Sequence, residues 1–222
     1  QGDKSLRPTL ERAYNICSDL GYVARLFLEK GVEALSQIEV TVGKPVRPAL
    51  AERLPGIQAI LDKIGRCAIE PKYDGFRCQV HRDGDWVKVY SRNLEDFSDM
   101  FPEIIEAARR QVRATRIIFE GEALAYDPST GDFYPFQVTV QRKRKYGIEE
   151  MRARLPLKLM AFDLLYLDGE DQTRQPYLER HRRLGEALAP DDVIELTEML
   201  ITDKPEEFEG YFADKVQRGL EG

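Results

Sequence analysis

Histidine and cysteine are scarce in this sequence, with two and three among 222 residues. His81 and His181 are the only histidines, and Cys17, Cys67 and Cys78 are odd in number and lack CxxC spacing. These shortages exclude a zinc finger, a histidine-based metal cage and a disulfide scaffold, and a reduced, cytosolic setting is the simplest fit. No apolar run approaches the ~18 residues that a membrane span needs, and the start, Gln1 to Lys4, is polar rather than signal-like. Excess positive charge is also missing, since 33 Lys and Arg against 39 Asp and Glu leave a net charge of −6. Binding of nucleic acid by bulk charge is thereby excluded, although a local basic face is not. The 42% of hydrophobic and 32% of charged residues suit one or two globular domains.

The first 40 residues read as helix. Thr9 to Cys17 is one candidate, Asp19 caps a second, and Gly31 provides a stop signal. Gly43-Lys44-Pro45-Val46-Arg47-Pro48 cannot continue a helix and is expected to be an extended linker. A short helix over Ile57–Ile64 leads into a strand-rich region. Arg77–His81 and Trp86–Ser91 flank an Asp-Gly turn, and Ile117–Tyr126 and Phe133–Val138 flank another turn. Leu157–Leu167 is a third apolar run. Helical patterns at Pro102–Val112, Gln141–Arg154, Leu178–Ala187 and Pro205–Arg218 intervene. Hairpins mixed with helices predict an α+β fold with mostly antiparallel sheets.

The densest candidate site is Glu70-Pro71-Lys72-Tyr73-Asp74-Gly75-Phe76-Arg77. Extended backbone would point Glu70 and Lys72 the same way, and Gly75 permits a sharp bend or a close approach. Read alone, the segment is more simply a strand end with an exposed lysine and an Asp-Gly turn. Ser91-Arg92-Asn93 follows a strand, where the arginine either faces an anion or is simply solvated. Glu120-Gly121-Glu122 puts two carboxylates on one strand face, which suits a divalent cation or ribose hydroxyls as well as a wet edge strand. Phe162 and Asp163 interrupt a buried-looking run, and the ring is either core or a stacking surface for a purine.

Taken in order, these segments resemble the ATP-dependent DNA ligases of the lysine nucleotidyltransferase superfamily. Lys72-Tyr73-Asp74-Gly75-Phe76-Arg77 is similar to motif I, Ser91-Arg92-Asn93 to motif Ia, Glu120-Gly121-Glu122 to motif III and Phe162-Asp163-Leu164-Leu165-Tyr166 to motif IIIa. The terminal Gly219-Leu220-Glu221-Gly222 resembles the opening of motif IV. Arg12-Ala13-Tyr14-Asn15 and the Gly43–Pro48 segment are similar to the end of the ligase DNA-binding domain, with an archaeal flavour. The resemblance implies the helical end of a DNA-binding domain over 1–42, a linker and entry over 43–66, and an adenylation domain of nucleotidyltransferase fold over 67–222. By the same resemblance the chain is a fragment that stops at motif IV and carries no oligonucleotide-binding-fold domain. Sealing of nicks by these 222 residues alone is therefore not expected.

The resemblance further implies that Lys72 attacks the α-phosphorus of ATP, with Mg2+, and becomes a lysyl-AMP. A free lysine of pKa about 10.4 needs partial burial or neighbouring cations to do so at neutral pH. Glu70 is then expected at the adenine edge, Arg77 and Arg92 near ribose or phosphate, and Phe162 stacked on adenine. Glu122 would face ribose hydroxyls or a metal, and Glu221 a metal. The AMP would pass to a 5′-phosphate at a nick in duplex DNA and be displaced by the 3′-hydroxyl. A monomer, a sliding clamp as a candidate partner, no membrane, and a cytoplasmic location in a prokaryote or a nuclear one in a eukaryote complete the expectation. Arg142, Lys143, Arg144 and Lys145 form a basic run, read either as a solvated helix face or as contacts to DNA phosphates. Rival readings are an RNA ligase, an mRNA capping guanylyltransferase that also uses a KxDG lysine, and a non-catalytic DNA-binding module that keeps the fold.

Overall fold

A computed structural model describes residues 4–222, and Gln1, Gly2 and Asp3 of the polar start lie outside the described residues. The chain runs α1 (Arg7–Cys17), α2 (Leu20–Lys30), α3 (Val32–Leu35), α4 (Ile57–Ile64), β1 (Cys67–Ile69), β2 (Phe76–Asp83), β3 (Trp86–Ser91), α5 (Pro102–Gln111) and β4 (Arg116–Ala125). It continues with α6 (Phe136–Thr139), α7 (Ile148–Arg154), β5 (Leu157–Leu167), β6 (Glu170–Asp171), α8 (Tyr177–Ala187), β7 (Ile194–Leu196), β8 (Leu200–Thr202) and α9 (Pro205–Gln217). The main sheet has the order β3-β2-β4-β5-β6, with β7 also on β5, and only the β5–β7 pair is parallel. β1 and β8 form a separate antiparallel pair, with α9 packed against β8 and α4 against α9. No helix among the described residues is long and apolar enough to cross a membrane.

Alternation along the strands assigns the two sheet faces. Cys78 and Val80 of β2 and Ile117, Phe119, Ala123 and Ala125 of β4 enter the main core, which α5 and α8 cover with Ile104, Ala108 and Leu184. The intervening residues Gln79, His81, Ile118 and Glu120 face the other way and are also buried. Ile118 joins Leu165 and Tyr166 in a second apolar cluster with Ala13, Ile16, Val23 and Leu35 of the leading helices. The leading helices thus lie on the back of the sheet.

Asp19 caps α2 as expected, accepting from the Tyr22 N–H at 2.8 Å, and Gly31, at φ 78°, ends it. The expected linker is not free. Val46 is buried, the Arg47 N–H donates to Asn15 O at 2.8 Å, and the Gly43 N–H donates to His81 Nδ1 at 3.0 Å. Two expectations fail. The strand foreseen over Phe133–Val138 is reduced to one bridge between Tyr126 and Phe133, after which Pro135 caps α6. The helix foreseen over Gln141–Arg154 is broken, because Arg142 turns inward and Gly147, at φ 64°, restarts the chain as α7.

Candidate active site

A cleft of about 800 Å³ opens beside Arg77 of β2, Glu122 of β4 and Phe162 of β5. Glu70, Lys72, Arg77, Arg92, Glu122 and Phe162, all singled out in the sequence, line it together with Lys143. The cleft also has a wall, Pro48–Ala51, that the sequence offered only as part of a linker.

Each side chain has a local reason for its place. Gly75 lets the loop before β2 lie against β4, since a Cβ there would stand 2.3 Å from Ala123 O. The close approach foreseen at this glycine is therefore to protein backbone. Arg77 pairs across the strands with Glu122, so a cation and a carboxylate emerge side by side. On β5, Asp163 faces Glu120 while Ala161 faces Gly121, which leaves Phe162 as the extra residue of a bulge. A bulge re-aims its side chain, and here it delivers an aromatic ring to the cleft from a strand otherwise committed to core. Arg92 rides a tight turn in which Ser91 Oγ accepts from the Asn93 and Glu95 N–H groups at 3.2 and 3.1 Å.

The arginine and the ring form a unit. The Arg77 guanidinium lies 4.7 Å from the Phe162 centroid and donates to Glu120 Oε2 at 2.6 Å. Its Nε is buried and has no hydrogen-bond partner in the protein. A buried donor is costly unless something accepts from it, and a phosphate or ribose oxygen in the cleft would. Glu70 accepts from Tyr177 Oη and, at 3.4 Å, from Thr197 Oγ1. Burial raises its carboxyl above the ordinary value, against the pull of those hydrogen bonds. Tyr177 Oη, whose single proton goes to Glu70, also lies 3.1 Å from Phe162 O and so places Glu70 beside the bulge.

Lys72 is placed differently from expectation. Its side chain is 66% exposed and ion-paired with Glu221, where the sequence suggested partial burial beside a cation. The main chains meet too, with the Lys72 N–H donating to Gly222 O at 2.7 Å and the Glu221 N–H to Lys72 O at 3.2 Å. Among the described residues no group of three or more His, Cys, Asp or Glu side chains forms a metal cage. Magnesium does not require one, because it is commonly held by one or two carboxylates with substrate phosphates and water. Glu122 lines the cleft and suits that limited role, whereas Glu221 is paired with Lys72 and is not among the lining residues.

The basic run is divided. Arg142 is buried, with a bidentate pair to Glu103 and further bonds to Leu155 O at 2.7 Å and Met100 O at 3.2 Å. It cannot reach a phosphate, and the structure takes it out of the proposed DNA-contacting set. Lys143 reaches the cleft rim and pairs with Glu95 at 3.2 Å, while Arg144 and Lys145 are exposed.

Burial pushes the Glu122 carboxyl from 4.5 up to about 7, opposed by Arg77, a Gly75 N–H and Lys72, and reinforced by Asp74. The folded chain therefore holds a proton that the unfolded chain has lost between those two values. Stability of the ligand-free protein should fall as pH rises through that window and stay lowered above it. Glu122→Gln should remove this component and be more stable than wild type at pH 8, by on the order of 2 kcal/mol. Urea midpoints at pH 5 and pH 8 test this, and an unchanged pH trend in the variant would refute it.

Lys72, Arg77, Glu122 and Phe162 thus meet on one cleft in an α+β domain built on a mostly antiparallel sheet. Residues 48–222 match the family described as the ATP dependent DNA ligase domain, and the chain belongs to that family. It is 54% identical over 220 residues to a probable DNA ligase of Dictyoglomus turgidum, covering 99% of this chain and 38% of that protein. It is 42% identical over 222 residues to a DNA ligase of Staphylothermus marinus, covering all of this chain and 37% of that protein. The chain thus spans little more than a third of the length of these relatives. Among solved structures, mycobacterial DNA ligase D complexed with ATP and MES superposes with a TM-score of 0.51 at 25% identity, over 72% of this chain and 47% of that one.

Proposed function

We propose that this domain performs the adenylation chemistry of a DNA ligase, with Lys72 as the nucleophile. The observation that carries the reading is the convergence of Lys72, Arg77, Glu122 and Phe162, from three separate stretches of sequence, on one cleft. The Lys72 amine, once it has lost a proton, attacks the α-phosphorus of ATP. A nitrogen–phosphorus bond forms, the bond to the bridging oxygen breaks, and pyrophosphate leaves with the electron pair. Glu221, in contact with Lys72, is the carboxylate nearest that proton. Glu122 and Glu221 would hold magnesium, which would supply charge neutralisation on the phosphates. Phe162 stacks on the adenine, Glu70 reads its edge, and Arg77 and Arg92 hold ribose or phosphate. The AMP then passes to the 5′-phosphate of nicked duplex DNA, and the 3′-hydroxyl displaces it.

DNA is engaged through its backbone, with Lys143 on the cleft rim and the exposed Arg144 and Lys145 following it, which suits an enzyme indifferent to sequence. The protein is proposed to act as a monomer on DNA in the cytoplasm, or in the nucleus of a eukaryote, with a sliding clamp as a candidate partner. Relatives named as DNA ligases favour this reading over an RNA ligase or a capping enzyme.

The base pocket gives a direct test. Phe162→Ala should weaken ATP binding by roughly 1–3 kcal/mol through loss of stacking. Calorimetric titration, with thermal unfolding of the same samples, checks it. A lower Tm with unchanged affinity would mean that the ring is only packing.

A further inference from the structure

Between the leading segment and the cleft lies a buried polar row that the proposed chemistry does not use. His81, Gln79 and Glu120 are each buried on the sheet face opposite the main core. The row begins at the strap over residues 43–48. His81 Nδ1 accepts from the Gly43 N–H, so the ring proton sits on Nε2, which donates to Gln79 Oε1 at 2.8 Å. Burial pushes this imidazole down to about 3 and keeps it neutral. Gln79 Oε1 also accepts from the Val46 N–H at 2.7 Å, and Gln79 Nε2 donates to Val46 O at 2.9 Å and to Glu120 Oε1 at 3.1 Å. The other oxygen of Glu120 takes the bond from Arg77.

An amide side chain has one carbonyl and two N–H groups, and Gln79 commits all three. Its orientation is therefore fixed at both ends, by the strap and by Glu120. Gln79 is not part of the cleft lining, yet it touches what builds two of its walls. Two residues beyond Val46 the strap becomes the Pro48–Ala51 wall, and beyond Glu120 stands the Arg77–Phe162 unit.

We propose that Gln79 is a positioning residue that couples the docking of the 43–48 strap to the placement of Arg77, and so sets the shape of the nucleotide cleft. The proposal rests on the nucleotide reading above. A displaced strap leaves Gln79 with unpaired amide groups, Glu120 loses its second donor, and Arg77 is no longer held over Phe162. Such a buried polar chain transmits position because a half-satisfied version of it is costly.

The test compares wild type, Gln79→Leu, Arg77→Ala and the double variant for ATP affinity by calorimetry. It also follows the Arg77 side-chain N–H resonance by NMR in nucleotide-free protein. Q79L should shift that resonance and weaken ATP roughly tenfold per folded molecule, and the loss should shrink to about twofold in the Arg77→Ala background. Val46→Pro, which removes the strap N–H together with the buried valine side chain, should shift the Arg77 resonance in the same direction and serves if Q79L does not fold. Losses that simply add, or a lowered Tm with Arg77 and the affinity unmoved, would overturn the coupling. If wild type binds no ATP, the nucleotide reading fails on its own. The coupling is then judged by the Arg77 resonance, and an unmoved resonance would overturn it.

Discussion

Replacing Lys72 by arginine is expected to abolish covalent capture of AMP while leaving the fold intact. The guanidinium stays protonated at any pH a protein tolerates, so it keeps the charge of lysine and has no lone pair for attack on phosphorus. The site tolerates the change structurally, because the side chain is exposed and its partner Glu221 accepts from either cation. The backbone bonds of residue 72 to Glu221 and Gly222 are independent of the side chain. Loss should therefore appear in adduct formation and not in Tm or in the noncovalent affinity for ATP. Transfer of radiolabel from α-labelled ATP to protein measures it, and label retained by Lys72→Arg at the wild-type level would remove Lys72 from the mechanism.

The largest effect on stability is expected at the other end of the chemistry, in the buried pair of Glu103 and Arg142. Arg142 is only 1% exposed and Glu103 7%, so removing the carboxylate strands a guanidinium in the core. Breaking such a pair from one side costs about 3–5 kcal/mol, whereas replacing both partners with apolar side chains of similar volume is often nearly neutral. Glu103→Ala should accordingly shift the urea midpoint far more than the double variant Glu103→Leu with Arg142→Met. DNA affinity of the double variant should be unchanged, because Arg142 is sealed behind Leu155 and Met100. A small penalty for Glu103→Ala, or weakened DNA binding in the double variant, would return Arg142 to the surface.

Much of the fold is legible in the sequence wherever an element is long enough to show its period. Trp86–Ser91, Leu157–Leu167 and Ile57–Ile64 form over the residues that their patterns mark. Three-residue strands such as β1, β7 and β8 contain too few side chains for any period, and they form because long-range partners are waiting. The break after Arg142 is similarly invisible, since nothing in a run of four cations says which one has a carboxylate awaiting it 39 positions earlier. The misread Phe133–Val138 segment is apolar enough for a strand, but Pro135 starts a helix there instead.

The candidate site follows the same division. Lys72, Arg77, Arg92, Glu122 and Phe162 were legible because each sits in a short contiguous motif, and one cleft gathers them all. Tyr177 and Thr197 were not, because they reach Glu70 across 107 and 127 positions. Gln79 was hidden for a different reason. It stands two residues from Arg77 on the same strand face, where a glutamine reads as one more polar residue unless its three partners are known. The bulge that presents Phe162 is likewise a matter of register between β4 and β5, which the sequence of β5 alone does not encode.

Mass spectrometry after incubation with ATP and magnesium tests the central claim most directly. It is run on this chain and, in parallel, on a form extended to the length of its relatives. A gain of one adenylyl group per molecule is expected, mapped by peptide sequencing to Lys72 and reversed by added pyrophosphate. An adduct on any other residue, or none in the longer form, would contradict it.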